Sequence, residues 1–265
     1  MIAKNEHSIM VNNLNCILNG SDILKDITLS FEKGKFYSIV GPNGSGKTTL
    51  LKNVLKLIEV EKNTVFIESN EITKLKSNEL SRLVSYVPQN TNIEFNFSVL
   101  DIVMMGRNPY IKRFQTESKK DYEIAEKAMK TTNVWELKDR NINTLSGGER
   151  QRVIIARALT QSTDIILLDE PISQLDIHHQ ISVMNLLKEL TEKMGITVIT
   201  VIHDLNYAIQ YSDYLVFLNK GKVFSCGEPE EVITNENLRK VYDMDFHIMK
   251  NSKTNKPIIL PDFSA

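Results

Sequence analysis

Cysteine is scarce in this chain of 265 residues: Cys16 and Cys226 lie far apart, and neither sits in a CxxC spacing or beside a histidine cluster. That excludes a disulfide scaffold and gives little support to a thiol metal site or redox centre. Long apolar runs are missing too. The longest, IILL at 165–168 and ITVITVI at 196–202, fall far short of the roughly 20 residues that cross a bilayer, so no segment is expected to span a membrane. The opening MIAKNEHSIM has neither the continuous apolar core nor the small-residue cleavage site of a secretory signal, and the protein is expected to stay inside the cell. An excess of one charge is also absent. Lys and Arg number 32 against 33 Asp and Glu, a net charge of −1, which provides no overall basic field, and no nucleic-acid partner is expected. Nor does any stretch rich in Pro, Gly or Ser divide the chain, so one domain over 1–265 is expected, with a helical lobe inserted at about 90–160.

What is present is an ordinary globular composition, 42% hydrophobic and 25% charged, organised around GPNGSGKTTL at 41–50. FYSIV at 36–40 reads as a strand before it, and Leu50, Leu51, Val54, Leu55 and Ile58 form one helical face after it. Strand, glycine-rich turn, Lys and Thr in this order make a phosphate-binding loop. Its candidate ligand-binding residues are Gly41, Pro42, Asn43, Gly44, Ser45, Gly46, Lys47, Thr48 and Thr49. Glycines let backbone N–H groups turn toward phosphate oxygens, and the helix aims its positive end at them. Lys47 is expected to reach the β- and γ-phosphates, and the Thr48 hydroxyl to ligate Mg²⁺.

The remaining pattern predicts an α/β fold. Alternation over 8–31, with Asn19-Gly20 as a turn, predicts antiparallel strands, and 64–67 adds another. Asn70 is expected to be a turn before a short amphipathic piece around Leu80 and Leu83. Ser98 and Asp101 form a capping box for the helix LDIVMM, expected to close at Gly106. Residues 110–120 read as loop and 121–131 as helix, with Trp135 and Leu137 packing in the lobe. QRVIIARALT is a helix and DIILLDE a buried strand. Residues 177–194 form a helix with Ile177, Ile181, Met184 and Leu187 on one stripe, and ITVITVIH is a second buried strand. Strands apolar on both faces, alternating with helices, imply a mainly parallel sheet covered on both sides, beside a smaller antiparallel layer. YLVFL and KVFS form a hairpin, and FHIM and PIIL form two extended pieces near the end. The adjacent His178 and His179 are expected at the surface, pointing in different directions.

Two further features carry chemistry. The strand 165–168 ends in Asp169 and Glu170, at the edge where nucleotides meet a parallel sheet. Asp169 is expected to hold Mg²⁺, and Glu170 to act on the water that attacks the γ-phosphorus. LSGGE at 145–149 sets a hydroxyl and two glycines before a helix, a second anion site. That site belongs either to the same subunit's nucleotide or to a partner's.

From about residue 8 onward the chain resembles the ATPase subunits of ATP-binding cassette (ABC) transporters, with a P-loop NTPase core. The shared segments are GPNGSGKTT, Gln89 in YVPQN, LSGGERQ, LLDEP, SQLD at 173–176 and His203 in VIHD. The resemblance implies ATP and Mg²⁺ as ligands and a homodimer closing head to tail, with Ser146, Gly147 and Gly148 on the γ-phosphate in trans. Gln89 then senses Mg²⁺ and couples to an integral-membrane permease, His203 contacts the γ-phosphate, and Asp176 belongs to the dimer seam. Leu18 stands where the family usually has an adenine-stacking aromatic, and Ile172 where a threonine or small residue is commoner. VLDIVMMGRNPY at 99–110 and the final segment look like the importer branch for iron–siderophore, haem and cobalamin. Iron–siderophore uptake is its commonest association; haem, cobalamin or a metal ion are alternative cargoes, and a soluble non-transport ABC ATPase is the alternative class. By the same resemblance the chain is peripheral on the cytoplasmic face of the membrane, in a system with a substrate-binding protein. Val103, Met104 and Met105 either pack internally or dock on the permease.

Overall fold

The computed structural model describes residues 6–91, 93, 95–112 and 115–262. Residues 1–5, positions 92 and 94 of the polar stretch, positions 113 and 114 of the stretch read as loop, and 263–265 lie outside the described residues. The chain opens with β1 (His7–Leu18), β2 (Ser21–Glu32) and β3 (Phe36–Val40), then α1 (Lys47–Val54). β4 (Val65–Ile67), β5 (Asn70–Glu71), α2 (Ser77–Leu80) and β6 (Val84–Val87) follow. Helices α3 (Val99–Met104), α4 (Lys119–Thr131) and α5 (Gly147–Thr160) separate β6 from β7 (Ile165–Asp169). Next come α6 (Ile177–Met194), β8 (Thr197–Val201), α7 (Leu205–Tyr211), β9 (Tyr214–Asn219) and β10 (Lys222–Gly227). The chain finishes with α8 (Pro229–Val232), α9 (Asn235–Tyr242), β11 (Phe246–Lys250) and β12 (Pro257–Pro261).

Among the described residues the central sheet runs β10-β9-β3-β8-β7-β6, parallel except for the edge pair β9 and β10. Its inner strands are apolar on both faces because both faces are covered. In β7, Ile166 and Leu168 pack with Val153, Ile154, Met184 and Leu187 of α5 and α6. Ile165 and Leu167 pack on the other face with Leu50 and Leu51 of α1 and with Ile27 and Phe31 of β2. Each such side chain contributes roughly 1.5–3 kcal/mol on burial, so β7 is anchored from both sides. That fixes the carboxylates at its end. A second, antiparallel sheet runs β2-β1-β4-β5, and its inward residues Leu24, Ile27, Leu29 and Phe31 are buried. The alternation breaks once, at Asp26, whose φ of 55° lies in the left-handed region.

Three local expectations are corrected, and one open alternative is decided. Gly106 does not end a helix: α3 runs straight into a 3₁₀ turn, Met105–Tyr110. A Cβ at Gly106 would come 2.2 Å from the Arg157 carbonyl oxygen, so glycine is needed there for close packing on α5. Asn70 opens a short strand against β4. On α6 the buried positions are Val183, Met184, Leu187, Leu190 and Thr191, while Ile177 and Ile181, expected on the same stripe, are 71% and 42% exposed because the first turns stand clear of the core. Met104 is buried in the helical cluster and Met105 is half-buried, so internal packing accounts for Met104. The capping box of Ser98 and Asp101 forms as expected, Ser98 Oγ accepting from the Asp101 backbone N–H at 3.1 Å.

Candidate active site

Strand β3, buried along its whole length, delivers the chain into the glycine-rich turn. Gly41, Gly44 and Gly46 have φ of 147°, 76° and 101°, conformations costly for a residue with a Cβ. At Gly41 a Cβ would lie 2.0 Å from the Leu218 carbonyl oxygen, and at Gly46 2.6 Å from Leu24 Cδ2. Around Gly44 there is open space. Helix α1 starts with Gly46 as its N-cap and no side-chain cap, so its first N–H groups face the turn with their partial positive charge. Lys47 is buried and donates to the carbonyls of Gly41 (2.8 Å) and Pro42 (2.9 Å). An ammonium has three donors, so a third remains for an anion. Burial lowers the Lys47 pKa, while Glu170 and Asp169 act to raise it. The Ser45 hydroxyl is buried with no hydrogen-bond partner, an orphan that an oxygen ligand in the turn would satisfy. These features fit a polyphosphate.

The acidic pair stands beside this loop. Thr48 Oγ1 donates to Asp169 Oδ1 at 2.9 Å, and burial raises the Asp169 pKa, with the Thr48 bond opposing and the Glu170 charge adding to the shift. Two carboxylate oxygens and a hydroxyl form the hard oxygen set that suits a small divalent cation. Glu170 takes φ of 50°, an uncommon conformation for a non-glycine residue, held by its backbone N–H donating to Val201 O at 3.1 Å. Its side chain is bracketed: Gln89 Nε2 donates to Oε2 at 2.7 Å, and His203 Nε2 meets Oε1. Gln89 follows β6, Glu170 follows β7 and His203 follows β8, three neighbours in the sheet. Residues far apart in sequence thus meet at one edge, the crevice where ligands bind in such sheets.

The second glycine pair heads α5. Ser146 is its N-cap and exchanges bonds with Glu149, whose backbone N–H donates to Ser146 Oγ at 3.3 Å while the Ser146 N–H donates to Glu149 Oε2 at 2.9 Å. The Ser146 N–H and hydroxyl both donate to the Glu149 carboxylate and lower its pKa. Gly147 lines a cleft of about 70 Å³ together with Gln89 and Glu170, too small for a nucleotide, since small-molecule pockets run to roughly 300 Å³ and more. Leu18 ends β1, half-buried against the antiparallel layer.

The ABC transporter family pattern matches residues 24–173, which takes in the phosphate-binding loop, the α5 glycines and the acidic pair. The chain belongs to the ABC transporter family. As a member of it, the chain binds and hydrolyses ATP. The petrobactin import ATP-binding protein YclP of Bacillus subtilis is 37% identical over 91% of this chain and 94% of its own length. The iron(3+)-hydroxamate import ATP-binding protein FhuC of the same organism is also 37% identical, over 90% of this chain and 88% of its own. The cobalamin import ATP-binding protein BtuD of Halobacterium salinarum reaches 37% over 95% of this chain and 63% of its own. A chain of a metal-chelate type ABC transporter, solved in an inward-facing conformation, superposes with a TM-score of 0.86 at 29% identity, covering 98% of each chain. The ATP-binding cassette MJ0796, solved as a post-hydrolysis dimer with ADP and Pi, gives a TM-score of 0.71 at 30% identity, covering 83% of this chain and 98% of that one.

Three residues of this ABC ATPase that the sequence reading did not place at the site touch it. Tyr86 points its hydroxyl at Asp169 Oδ2, 3.5 Å away. Tyr242 of α9, half-buried, meets the backbone of Gly41 with its hydroxyl, so the C-terminal part of the chain supports the phosphate loop. His179 is not a free surface residue. Its Nδ1 lies 2.8 Å from the Asp176 carboxylate, and its ring packs so closely on Gly148 that a Cβ there would lie 2.0 Å from Cδ2. The one sequence signal was the aromatic in YVPQN, on the strand that leads to Gln89.

Proposed function

We propose that this ATPase powers an importer of iron(III)–siderophore complexes, peripheral on the cytoplasmic face of the membrane and bound to permease subunits fed by a substrate-binding protein. Among the described residues no helix is long and apolar enough to cross a membrane, which suits a subunit that acts through membrane partners. We read it as one ATPase domain over 1–265 with a helical subdomain at about 90–160. The names of YclP and FhuC support the cargo. BtuD keeps cobalamin as the second reading, and growth of a deletion strain on a single ferric siderophore separates the two: unimpaired growth overturns the siderophore reading.

The observation that carries the catalytic reading is Glu170, held between Gln89 and His203 directly after the cation-binding Asp169. Mg²⁺ held by Thr48 and Asp169, with Gln89 near, neutralises charge on the phosphate oxygens when bound. In this reading Lys47 and the N–H groups of 41–49 hold the triphosphate, and Glu170 orients the attacking water and accepts its proton. His203 holds the Glu170 carboxylate and contacts the γ-phosphate, and Leu18 makes an apolar contact with the base. Ser146, Gly147 and Gly148 act on the nucleotide of a second copy. The narrow cleft beside Gly147 favours that arrangement over one nucleotide within a single chain. Closure by ATP and release after hydrolysis then form the cycle passed to the permease.

The permease's seat is the groove of about 450 Å³ between the two lobes. Exposed Leu57 and half-buried Met105 form part of its walls. Glu170→Gln tests the catalytic reading. ATP binding is expected to persist, turnover to fall by roughly 10²–10⁴-fold, and an ATP-bound dimer to accumulate in size-exclusion chromatography. Turnover near the wild-type rate would refute the role of Glu170.

A further inference from the structure

Tyr86 belongs to two places at once. In β6 its neighbours Val84, Ser85 and Val87 are buried, whereas Tyr86 is half-exposed, and its side chain lines the inter-lobe groove. The walls of that groove come from both lobes: Leu57 and Leu80 on one side, Met105, Arg157 and Gln161 on the other. The far end of the same side chain reaches the acidic pair. Its hydroxyl lies 3.5 Å from Asp169 Oδ2, while Asp169 Oδ1 accepts from Thr48 at 2.9 Å. Each oxygen of the cation-binding carboxylate therefore faces one hydroxyl. A phenol keeps its proton at neutral pH and a carboxylate can only accept, so Tyr86 is the donor in this contact.

The separation matters. An O–H···O bond is strongest near 2.7–2.8 Å and has little strength left at 3.5 Å. A movement of the ring by less than about 1 Å therefore turns a marginal contact into a full bond, or removes it. Because the groove walls belong to different lobes, whatever fills the groove bears on this ring.

We propose that Tyr86 is a positioning residue for Asp169, through which an occupant of the inter-lobe groove sets the grip of the active site on its divalent cation. This rests on the reading of the groove as the seat of the permease. A helix of that membrane partner, filling the space between Leu57 and Met105, presses the Tyr86 ring toward β7 and tightens the bond to Asp169 Oδ2. Hydrogen-bond partners behind a metal ligand orient it, and their loss typically weakens metal binding by 10- to 100-fold. Among the described residues lining the groove, Tyr86 is the one whose side chain hydrogen-bonds the acidic pair.

Tyr86→Phe removes one oxygen atom and keeps the ring, so the fold and the groove wall are preserved. Mn²⁺ serves as the paramagnetic probe, titrated by electron paramagnetic resonance into the full chain loaded with a non-hydrolysable ATP analogue. In the chain alone, where the contact is marginal, the Mn²⁺ Kd is expected to rise only slightly, and in the complex with the permease roughly tenfold, with analogue affinity at saturating Mn²⁺ and melting temperature unchanged. A Mn²⁺ Kd equal to wild type in the permease complex overturns the proposal, because a residue that only lines the groove has no route to the metal. With the permease present, ATPase stimulation is expected to drop several-fold in Tyr86→Phe, and unchanged stimulation overturns the transmission. Crosslinking from Leu57→Cys to the permease tests the seat separately. If it fails while the Mn²⁺ shift holds, the docking reading falls and the tie from Tyr86 to Asp169 stands.

Discussion

Arg107 shows how much a single buried charge depends on its partners. It is 6% exposed, and its Nε donates to Asp121 Oδ1 at 2.8 Å while Nη1 donates to the Thr160 carbonyl at 2.9 Å. Its guanidinium also lies over the Tyr110 ring, 4.0 Å from the centroid. Asp121 caps α4 at the same time, accepting from the Ser118 hydroxyl and backbone N–H. Those Ser118 bonds, and then Arg107, bring its pKa from 3.8 to about 2. A depressed folded-state pKa contributes stability that is fully present above the unfolded value and is lost as pH falls through the folded one. Asp121→Asn leaves Arg107 buried without its counter-charge and is expected to cost about 3 kcal/mol at pH 7. In urea titrations at a series of pH values the gap to wild type is expected to stay constant above pH 4 and to close toward pH 2. A gap that persists at low pH would remove the charge from the explanation.

At the scale of elements, the start of α6 and the start of α5 are fitted together by one ring. His179 is held by Asp176, the N-cap of α6, and lies against Gly148 in the first turn of α5. Gly148→Ala drives a methyl group into the ring and is expected to lower stability by about 1–3 kcal/mol. His179→Ala removes the obstacle, so the double variant is expected to be more stable than the sum of the single effects by about 1 kcal/mol. Thermal unfolding of the four proteins measures this, and strict additivity would show that the ring is not what excludes a side chain at 148. Such a contact was invisible in the sequence, where LSGGE and the adjacent histidines read as unrelated features. What was legible was local. The glycine-rich turn between β3 and α1, the acidic end of β7 and the capping box of Ser98 and Asp101 each depend on neighbours within a few residues, and their local structure formed as read. Gly106 was read as a helix stop because glycine often is one, but its reason lies in Arg157 of α5, well outside its own helix. Ile177 fits the helical period yet lies beyond the core, since periodicity assigns a face and not the extent of what covers it. Tyr86 had no signal beyond its strand, because its value comes from the groove on one side and Asp169 on the other.

The whole molecule is built on a sheet that brings Gln89, Glu170 and His203 together at one edge, and the proposed function leaves its partner surfaces unfinished in a single copy. Ligand binding to the native state alone raises stability by RT ln(1 + [L]/Kd), about 2.7 kcal/mol at 100 times Kd. For a chain of 265 residues an unfolding entropy near 2.1 cal/mol/K per residue converts this to a Tm rise of about 5 °C. Lys47→Ala removes the buried ammonium from the phosphate loop, and at the same ATP concentration the rise is expected to vanish. A second, separate increment belongs to dimer closure. Folding linked to association makes Tm depend on protein concentration, so Glu170→Gln with ATP and Mg²⁺ is expected to melt higher as its own concentration rises, whereas the ADP-loaded protein is expected to melt at a constant temperature. A concentration-independent Tm in the ATP-loaded variant would mean that nucleotide is bound within one copy, and the glycines of α5 would then need another role than closing on a partner's phosphates.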